Sequence, residues 1–226
     1  AGLQILFGKR MIDNAIKHDQ LHPSAYGSIP KRTAQDGVME KQLSLDLMRT
    51  KKTSGAIFDC DAKGCYDRIV AALQTISSRR LGVPRTTAIF FAKFWRVCKH
   101  YILTRHGTSK EYFESSCTEL LYGIGQGNGA GPAFWLSNLV VMFLVLDSVC
   151  QWMKFRSPTG GVEHKSTGMG YVDDVTLGCT PTDYEKMDND DIIDLSRREE
   201  NAVIQDINDM SNKWEIMLHT NGGLLE

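Results

Sequence analysis

Residues 168–178 read GMGYVDDVTLG, and this stretch decides the fold. Glycine, apolar and β-branched residues flank the adjacent acids Asp173 and Asp174, which predicts two short strands joined by a tight turn at or beside the pair. At an effective dielectric near 20, two unit charges about 4 Å apart repel by roughly 4 kcal/mol. A bound cation offsets such repulsion, and clustered carboxylate oxygens are typical ligands of Mg²⁺. For the dipeptide alone, the alternative is an ordinary exposed turn, where aspartate is common.

An upstream stretch offers a further carboxylate. Residues 55–61 read GAIFDCD, which predicts a strand that ends in acid and continues into a helix beginning near Ala62. Alternation along a strand places Asp59 and Asp61 on the same face, so periodicity leaves open which of the two binds a metal. A helix N-cap is the alternative role for Asp61.

A glycine-rich stretch is the third feature. Residues 123–132 read GIGQGNGAGP and precede an apolar helix predicted over residues 133–152. A glycine loop that opens a helix lets the backbone approach a ligand closely and presents N–H donors to it. By itself such a loop identifies no ligand, because many glycine loops are simply turns.

Taken in order, these stretches resemble the catalytic motifs of reverse transcriptases, in the form found in eukaryotic retroelements of the non-LTR retrotransposon type. Asp61, with an aromatic residue five positions on (Tyr66) and an acid six positions on (Asp67), is similar to the first motif. This resemblance favours Asp61 over Asp59 as the metal ligand. The letters YVDD at residues 171–174 resemble the Tyr-x-Asp-Asp signature of the same family.

The glycine-rich stretch matches the second motif of that family, a Gln-Gly pair followed after four residues by Pro. Gln126, Gly127 and Pro132 have this spacing. Two positions depart from the pattern: Gly125 stands where many members have Pro, and Gly131 stands where many have Ser. Glycine at these two positions makes the loop more flexible, but the Gln-Gly pair is retained.

The resemblance implies an enzyme, an RNA-directed DNA polymerase (reverse transcriptase). Such an enzyme adds deoxynucleotides to the 3′-hydroxyl of a DNA or RNA primer on an RNA template. The implied catalytic residues are Asp61, Asp173 and Asp174, which would hold two Mg²⁺ ions together with the carbonyl of Ala62, and Mn²⁺ would substitute. Asp59 would then flank the metal site.

The resemblance also implies a nucleotide site. Tyr66 would pack under the nucleotide sugar and exclude a 2′-hydroxyl, while Gln126 and Gly127 would contact the incoming deoxynucleoside triphosphate. An upstream segment resembles the fingers segment of retroelement enzymes, and its Lys31 and Arg32 are the expected contacts to triphosphate or template. A solvated basic loop is the alternative for Lys31.

The implied fold is α+β: the fingers and palm of a right-hand polymerase, with an antiparallel palm sheet backed by helices and no thumb. The expected divisions are fingers over 1–54, palm with the first motif over 55–78, a fingers or hairpin insertion over 79–122, and palm with the second and third motifs over 123–226. Periodicity predicts helices over 8–18, 34–49, 86–103 and 201–219, a hairpin near 112–122, and a strand from Leu224.

Two other functions fit parts of the pattern. The palm of an RNA-dependent RNA polymerase shares the acidic residues, but Tyr66 and Tyr171 favour deoxynucleotide use. A catalytically inert or domesticated nucleic-acid-binding fragment would keep the palm as a scaffold. The intact Asp61, Gln126 and Asp-Asp pair argue against that loss of chemistry.

The net charge of −1 conceals two oppositely charged halves. Residues 1–110 hold 19 Lys+Arg and 8 Asp+Glu, net +11, and residues 111–226 hold 7 and 19, net −12. The basic half is expected to attract phosphate backbones and triphosphates, and the acidic half to hold metals.

Cysteine spacing and hydropathy indicate the compartment. The six cysteines form no Cys-x-x-Cys pair, which disfavours a zinc site or a disulfide framework and predicts a reducing intracellular setting, cytoplasm or nucleus. The N-terminus lacks the pattern of a signal peptide. The apolar run at 133–146 is interrupted by Ser137 and Asn138, which predicts a buried helix and no membrane partner.

Overall fold

A computed structural model describes residues 2–116, 121–125, 127–156, 163–181 and 192–225 of the chain. These residues form an α+β fold in which the named strands pair antiparallel. The helices are α1 (Gly2–Lys17), α2 (Ala34–Lys51), α3 (Cys65–Arg68), α4 (Ala71–Arg80), α5 (Arg85–Arg96), α6 (Gly131–Val149) and α7 (Ile192–Thr220). The strands are β1 (Ala56–Lys63), β2 (His100–Thr104), β3 (Gly107–Phe113), β4 (Met153–Arg156), β5 (Glu163–Ser166), β6 (Gly168–Tyr171), β7 (Asp174–Cys179) and β8 (Leu224–Leu225).

The central sheet has four strands in the order β6-β7-β1-β8. β7 pairs with β6 on one side and with β1 on the other, so it is an interior strand. Hairpins β2–β3 and β4–β5 form separate two-stranded sheets. The strands predicted on both sides of the Asp-Asp pair, and the strand predicted upstream at residues 55–61, are confirmed.

Contacts divide the chain into two compact units. The first unit has Ala1–Gln20 and Gly64–Asn138, and the second has Leu21–Lys63 and Leu139–Glu226. The four-stranded sheet belongs to the second unit, while α3, α4, α5 and the β2–β3 hairpin belong to the first. The expected boundaries of fingers and palm stay a prediction.

The core of the second unit forms between its sheet and α7, which contacts both β1 and β7. Trp214 of α7 is fully buried and its ring lies 6.1 Å from that of Phe143. Leu177 of β7 is also fully buried, and each such side chain contributes roughly 1.5–3 kcal/mol by leaving water. On β1, Cys60 and Ala62 are buried, so the alternating acids of that strand lie on its other face.

Aromatic side chains form the core of the first unit. The ring of Phe7 in α1 lies 4.3 Å from that of Phe91 in α5, and Trp95 lies 4.8 Å from Phe134. Helix α1 begins at Gly2, several residues before the predicted start, and so includes Phe7.

Within the part of the chain that the structure describes, one helix, α6, has the length and composition of a membrane span. Buried residues make up 61% of its apolar window, which is typical of the core helix of a folded domain. The helix predicted over residues 133–152 is therefore confirmed, with bounds Gly131–Val149.

Two predictions of local structure are wrong. The helix expected over 86–103 ends at Arg96, because the residues from His100 pair with β3 instead, and the rings of Tyr101 and Tyr112 lie 5.7 Å apart across that hairpin. A hairpin was predicted from residues 112–122 together with the preceding segment, and the structure has its second strand at Gly107–Phe113 instead. Residues 117–120 of that prediction lie outside the described residues. The β4–β5 hairpin was not predicted, since β5 contains no apolar residue.

Candidate active site

The acidic pair lies at the tip of the β6–β7 hairpin. Tyr171 pairs with Asp174, so Val172 and Asp173 form a two-residue turn, as the sequence predicts. Val172 has a φ of 60°, a left-handed conformation that is unfavourable for a β-branched residue. Such a residue costs on the order of 1–3 kcal/mol and persists only where its surroundings hold it. The turn is therefore a strained element carrying the two acids.

Asp61 of β1 lies opposite Asp174 of β7 as its Cα partner. The backbone N–H of Ala62 donates to the carbonyl of Asp173 at 3.0 Å, so the 62–173 pair is the hydrogen-bonded one. Asp61 and Asp174 then form a non-hydrogen-bonded pair, in which Cα atoms are about 4.5 Å apart and side chains are closest. Like charges in this position destabilise a sheet, which is the condition that a bound cation relieves.

The two acids open onto a cleft of about 440 Å³ within the second unit. Its lining includes Asp59, Asp61, Asp174 and Thr176. On β1 the two acids alternate with buried residues, whereas on β7 Asp174 is exposed and Thr176 is buried. Beneath them, burial and the nearby acids raise the pKa of the Cys60 thiol to about 12. The cleft is therefore lined by carboxylates next to the buried thiol of Cys60, which keeps its proton at neutral pH.

Asp59 has a lysine partner. Lys41 of α2 lies within 2.7 Å and 2.5 Å of its two carboxylate oxygens, and Thr176 donates to it at 2.6 Å. Burial alone would raise the pKa of Asp59, but the bonds from Lys41 and Thr176 and the lysine charge together lower it. Lys41 therefore compensates the charge of Asp59, and the choice of Asp61 as the metal ligand stays a prediction.

The chemistry of the carboxylates fits a hard cation such as Mg²⁺. Among the residues that the structure describes, however, no group of three or more His, Cys, Asp or Glu side chains is close enough to hold a metal ion. The pair Asp61–Asp174 is in register, whereas Asp173 lies on the turn beside it and does not complete a three-acid cluster.

The glycine-rich loop of the first unit packs against α3. The N–H of Ile124 donates to the carbonyl of Tyr66 at 2.9 Å, and a Cβ added at Gly131 would lie 3.4 Å from the Tyr66 ring. Gly127 has a φ of 85° and faces open space, as a residue that meets a ligand by its backbone would. Gln126 lies outside the described residues.

The loop conformation accounts for one departure from the family pattern. Gly125 has a φ of 74°, which proline cannot adopt because its ring fixes φ near −65°. A cavity of about 470 Å³ adjoins the loop within the first unit. Asp67, Trp95, Gly125 and Gly127 are among its lining residues.

The two basic residues of the predicted fingers segment differ in their contacts. Lys31 is exposed and has a φ of 67°. The Arg32 Nη1 donates to the carbonyls of His22 at 3.3 Å, of Pro23 at 3.1 Å and of Ala25. The role of Arg32 toward nucleotide or template stays a prediction, but the structure gives it contacts within its own loop that the sequence does not reveal.

Two further residues near the acidic hairpin, Lys41 and His22, make contacts that the sequence does not predict. Lys41 has no motif that marks it as the partner of Asp59. His22 is 5% exposed and its Nε2 lies 2.8 Å from the Oδ2 of Asp147, a pair separated by 125 positions. Neither contact has a local sequence signal, because each depends on tertiary packing.

Comparison with known proteins identifies the fold. No family model matches the chain, and no curated protein matches it. Over 100% of its length the chain is similar to apo telomerase of Candida tropicalis truncated from its C-terminal domain, with a TM-score of 0.52 and 14% identity. A telomerase of Candida albicans in complex with a fragment of telomeric RNA aligns with 97% of the chain, at a TM-score of 0.47 and 12% identity.

The chain spans 39% of the first telomerase chain and 32% of the second. At 14% identity the first similarity establishes the fold alone. The chain therefore has a reverse-transcriptase-like α+β fold of the fingers and palm type, as the sequence predicts.

Proposed function

We propose that this chain is the nucleotidyl-transfer part of a reverse transcriptase, which extends a primer 3′-hydroxyl with deoxynucleotides on an RNA template. The observation that carries the proposal is the facing pair Asp61–Asp174 at the edge of an acidic cleft, with Asp173 on the adjoining turn. The fold of the telomerase neighbour supports a polymerase of this class.

Asp61 and Asp174 would hold Mg²⁺ through their carboxylates, with Asp173 and the Ala62 carbonyl as further ligands. Bound Mg²⁺ supplies charge compensation for the triphosphate and a lowered pKa for the attacking hydroxyl. Phosphoryl transfer depends mainly on positioning and charge, so few protein side chains are required. The register that brings Asp61 opposite Asp174 on two paired strands supports the proposal.

The roles of individual residues in nucleotide binding are proposed from their resemblance to the reverse-transcriptase motifs. Tyr66 would select against ribonucleotides, and Gln126 and Gly127 would contact the incoming nucleotide. RNA as template is supported by the resemblance of the motifs to those of eukaryotic retroelements, and we propose an origin in a non-LTR-like retrotransposon.

A catalytically inert nucleic-acid-binding fragment is the second candidate. The observation that favours it is that the described acids form no three-residue metal group. A polymerase needs Asp61 and Asp174 for primer extension, whereas an inert fragment would bind nucleic acid without extending a primer.

Primer extension on an RNA template with Mg²⁺ tests the proposal, using the chain and its Asp61→Asn and Asp174→Asn variants. Asp46→Asn is a matched control, because Asp46 is an exposed aspartate of α2 in the same unit. The proposal predicts extension that needs Mg²⁺, is lost in the first two variants and persists in the third. RNA binding that is the same in all four proteins, without extension in any, would favour the inert fragment.

A further inference from the structure

Residues 22–27 run along the free edge of β6 in the second unit. Ala25 and Gly170 form a parallel bridge, in which the N–H of Gly170 donates to the carbonyl of Ser24 at 2.8 Å. The N–H of Tyr26 in turn donates to the carbonyl of Gly170 at 2.8 Å. Because Gly170 lies two residues before Val172, this segment extends the sheet beside the acidic turn.

The segment also contacts the turn directly. A Cβ added at Gly27 would lie 2.5 Å from the backbone nitrogen of Val172 and 2.9 Å from its Cγ2. These distances show that the Gly27 backbone packs against the one turn residue with a left-handed φ. Such close backbone approach is possible only for glycine.

The side chains of Arg32 and His22 hold residues 22–27 in place. Arg32 donates through Nη1 to the carbonyls of His22, Pro23 and Ala25, three acceptors within four residues. The His22 ring stacks on Phe143 at 5.2 Å and accepts at Nδ1 from the N–H of Ser24 at 3.1 Å.

His22 is in turn held by Asp147 of α6. The Oδ2 of Asp147 lies 2.8 Å from the Nε2 of His22, and its Oδ1 accepts from the hydroxyl of Thr167. Thr167 immediately precedes β6, so one carboxylate ties the segment and the start of the hairpin to α6.

We infer that residues 22–27, held by Arg32 and His22, form a buttress that fixes the strained Val172–Asp173 turn and thereby sets the position of Asp173 and Asp174 relative to Asp61. This inference rests on the proposed function for its catalytic consequence. It makes Arg32 a positioning residue, distinct from the triphosphate contact that its sequence position predicts. Outer contacts of metal ligands typically alter metal affinity by about 10–100-fold when removed.

The test uses Arg32→Met and Gly27→Ala, with Arg49→Met and Gly2→Ala as matched controls. Arg49 is an exposed arginine at the end of α2, and a Cβ at Gly2 meets nothing within 4 Å. Hydrogen exchange is measured without metal in peptides covering residues 168–176 and, as a folding control, residues 203–218 of α7. Mn²⁺ affinity is measured by electron paramagnetic resonance, and binding of a deoxynucleoside triphosphate by fluorescence.

The buttress predicts that both test variants exchange at least about tenfold faster at 168–176, with α7 unchanged, and that their Mn²⁺ affinity falls about tenfold. If Arg32→Met unfolds throughout, Gly27→Ala decides the result. Unchanged exchange at 168–176 would overturn the inference, as would a loss of triphosphate affinity with exchange and Mn²⁺ affinity intact. If the wild-type chain binds no Mn²⁺, the proposed function is contradicted, and exchange alone decides whether the buttress exists.

Discussion

Asp61 on β1 lies directly opposite Asp174 on β7, so two carboxylates extend together from one face of the central sheet. Two positions earlier on β1, Asp59 faces Thr176 and has its charge compensated by Lys41. The same face therefore carries Asp59, which pairs with Lys41, and beside it two acids that face each other. We propose that the facing pair is a cation site.

Asp174→Asn should stabilise the metal-free protein while abolishing synthesis. The substitution removes one of two like charges in a non-hydrogen-bonded pair, which is worth up to about 1 kcal/mol of unfolding free energy. Urea unfolding in the presence of EDTA measures the change, with Asp46→Asn as control. A loss of metal-free stability would show that the carboxylate has a structural role.

Lys41→Met should lower stability at neutral pH and have little effect in acid. The pKa of Asp59 is lowered in the folded protein, so its ion pair contributes above the ordinary carboxyl pKa of about 3.9 and is lost as the pH falls through the lower folded value. Because both groups are partly exposed, we expect a loss of about 0.2–1 kcal/mol at pH 7. Urea unfolding of both proteins at pH 7 and near pH 2 should show the difference shrinking; a constant difference would contradict this account of Asp59.

Two substitutions that introduce the residues common in reverse-transcriptase motifs of this form should have opposite outcomes. Gly125→Pro should destabilise the first unit by about 1–3 kcal/mol, because φ is 74° at this position. Gly131→Ser should be tolerated, since its added Cβ comes no closer than 3.4 Å to the Tyr66 ring. Thermal unfolding of both variants distinguishes them, and equal stability would mean that the loop has a different backbone conformation.

Tyr66→Ala should admit ribonucleotides if the proposed sugar contact is correct. Removing the ring opens space for a 2′-hydroxyl, and we expect the preference for deoxynucleotides to fall about tenfold or more. Relative incorporation of ribo- and deoxynucleotides in primer extension measures it, with Tyr101→Ala in the exposed β2–β3 hairpin as control. Unchanged selectivity would limit Tyr66 to packing against the glycine-rich loop.

The parts of the fold predicted from sequence are those with a strong local pattern. The turn between Tyr171 and Asp174 and the strand that contains Asp61 follow from residue alternation beside acidic residues. The β4–β5 hairpin was not predicted, because β5 contains no apolar residue, although Met153 and Phe155 of β4 are buried.

The parts of the site that sequence did not predict depend on tertiary contacts. Alternation places Asp59 and Asp61 on one face, and no periodicity predicts that Lys41 of α2 pairs with Asp59. The contacts of Arg32 with backbone carbonyls depend on the fold of its own loop, which no periodicity describes.

Direct titration with Mn²⁺, followed by electron paramagnetic resonance, tests the central claim that Asp61 and Asp174 form one cation site. The account predicts that the wild-type chain binds the ion, that Asp61→Asn and Asp174→Asn each weaken binding by about tenfold or more, and that the double variant is little weaker than either one. Mn²⁺ affinity that is the same in the wild-type chain and in both single variants would contradict it.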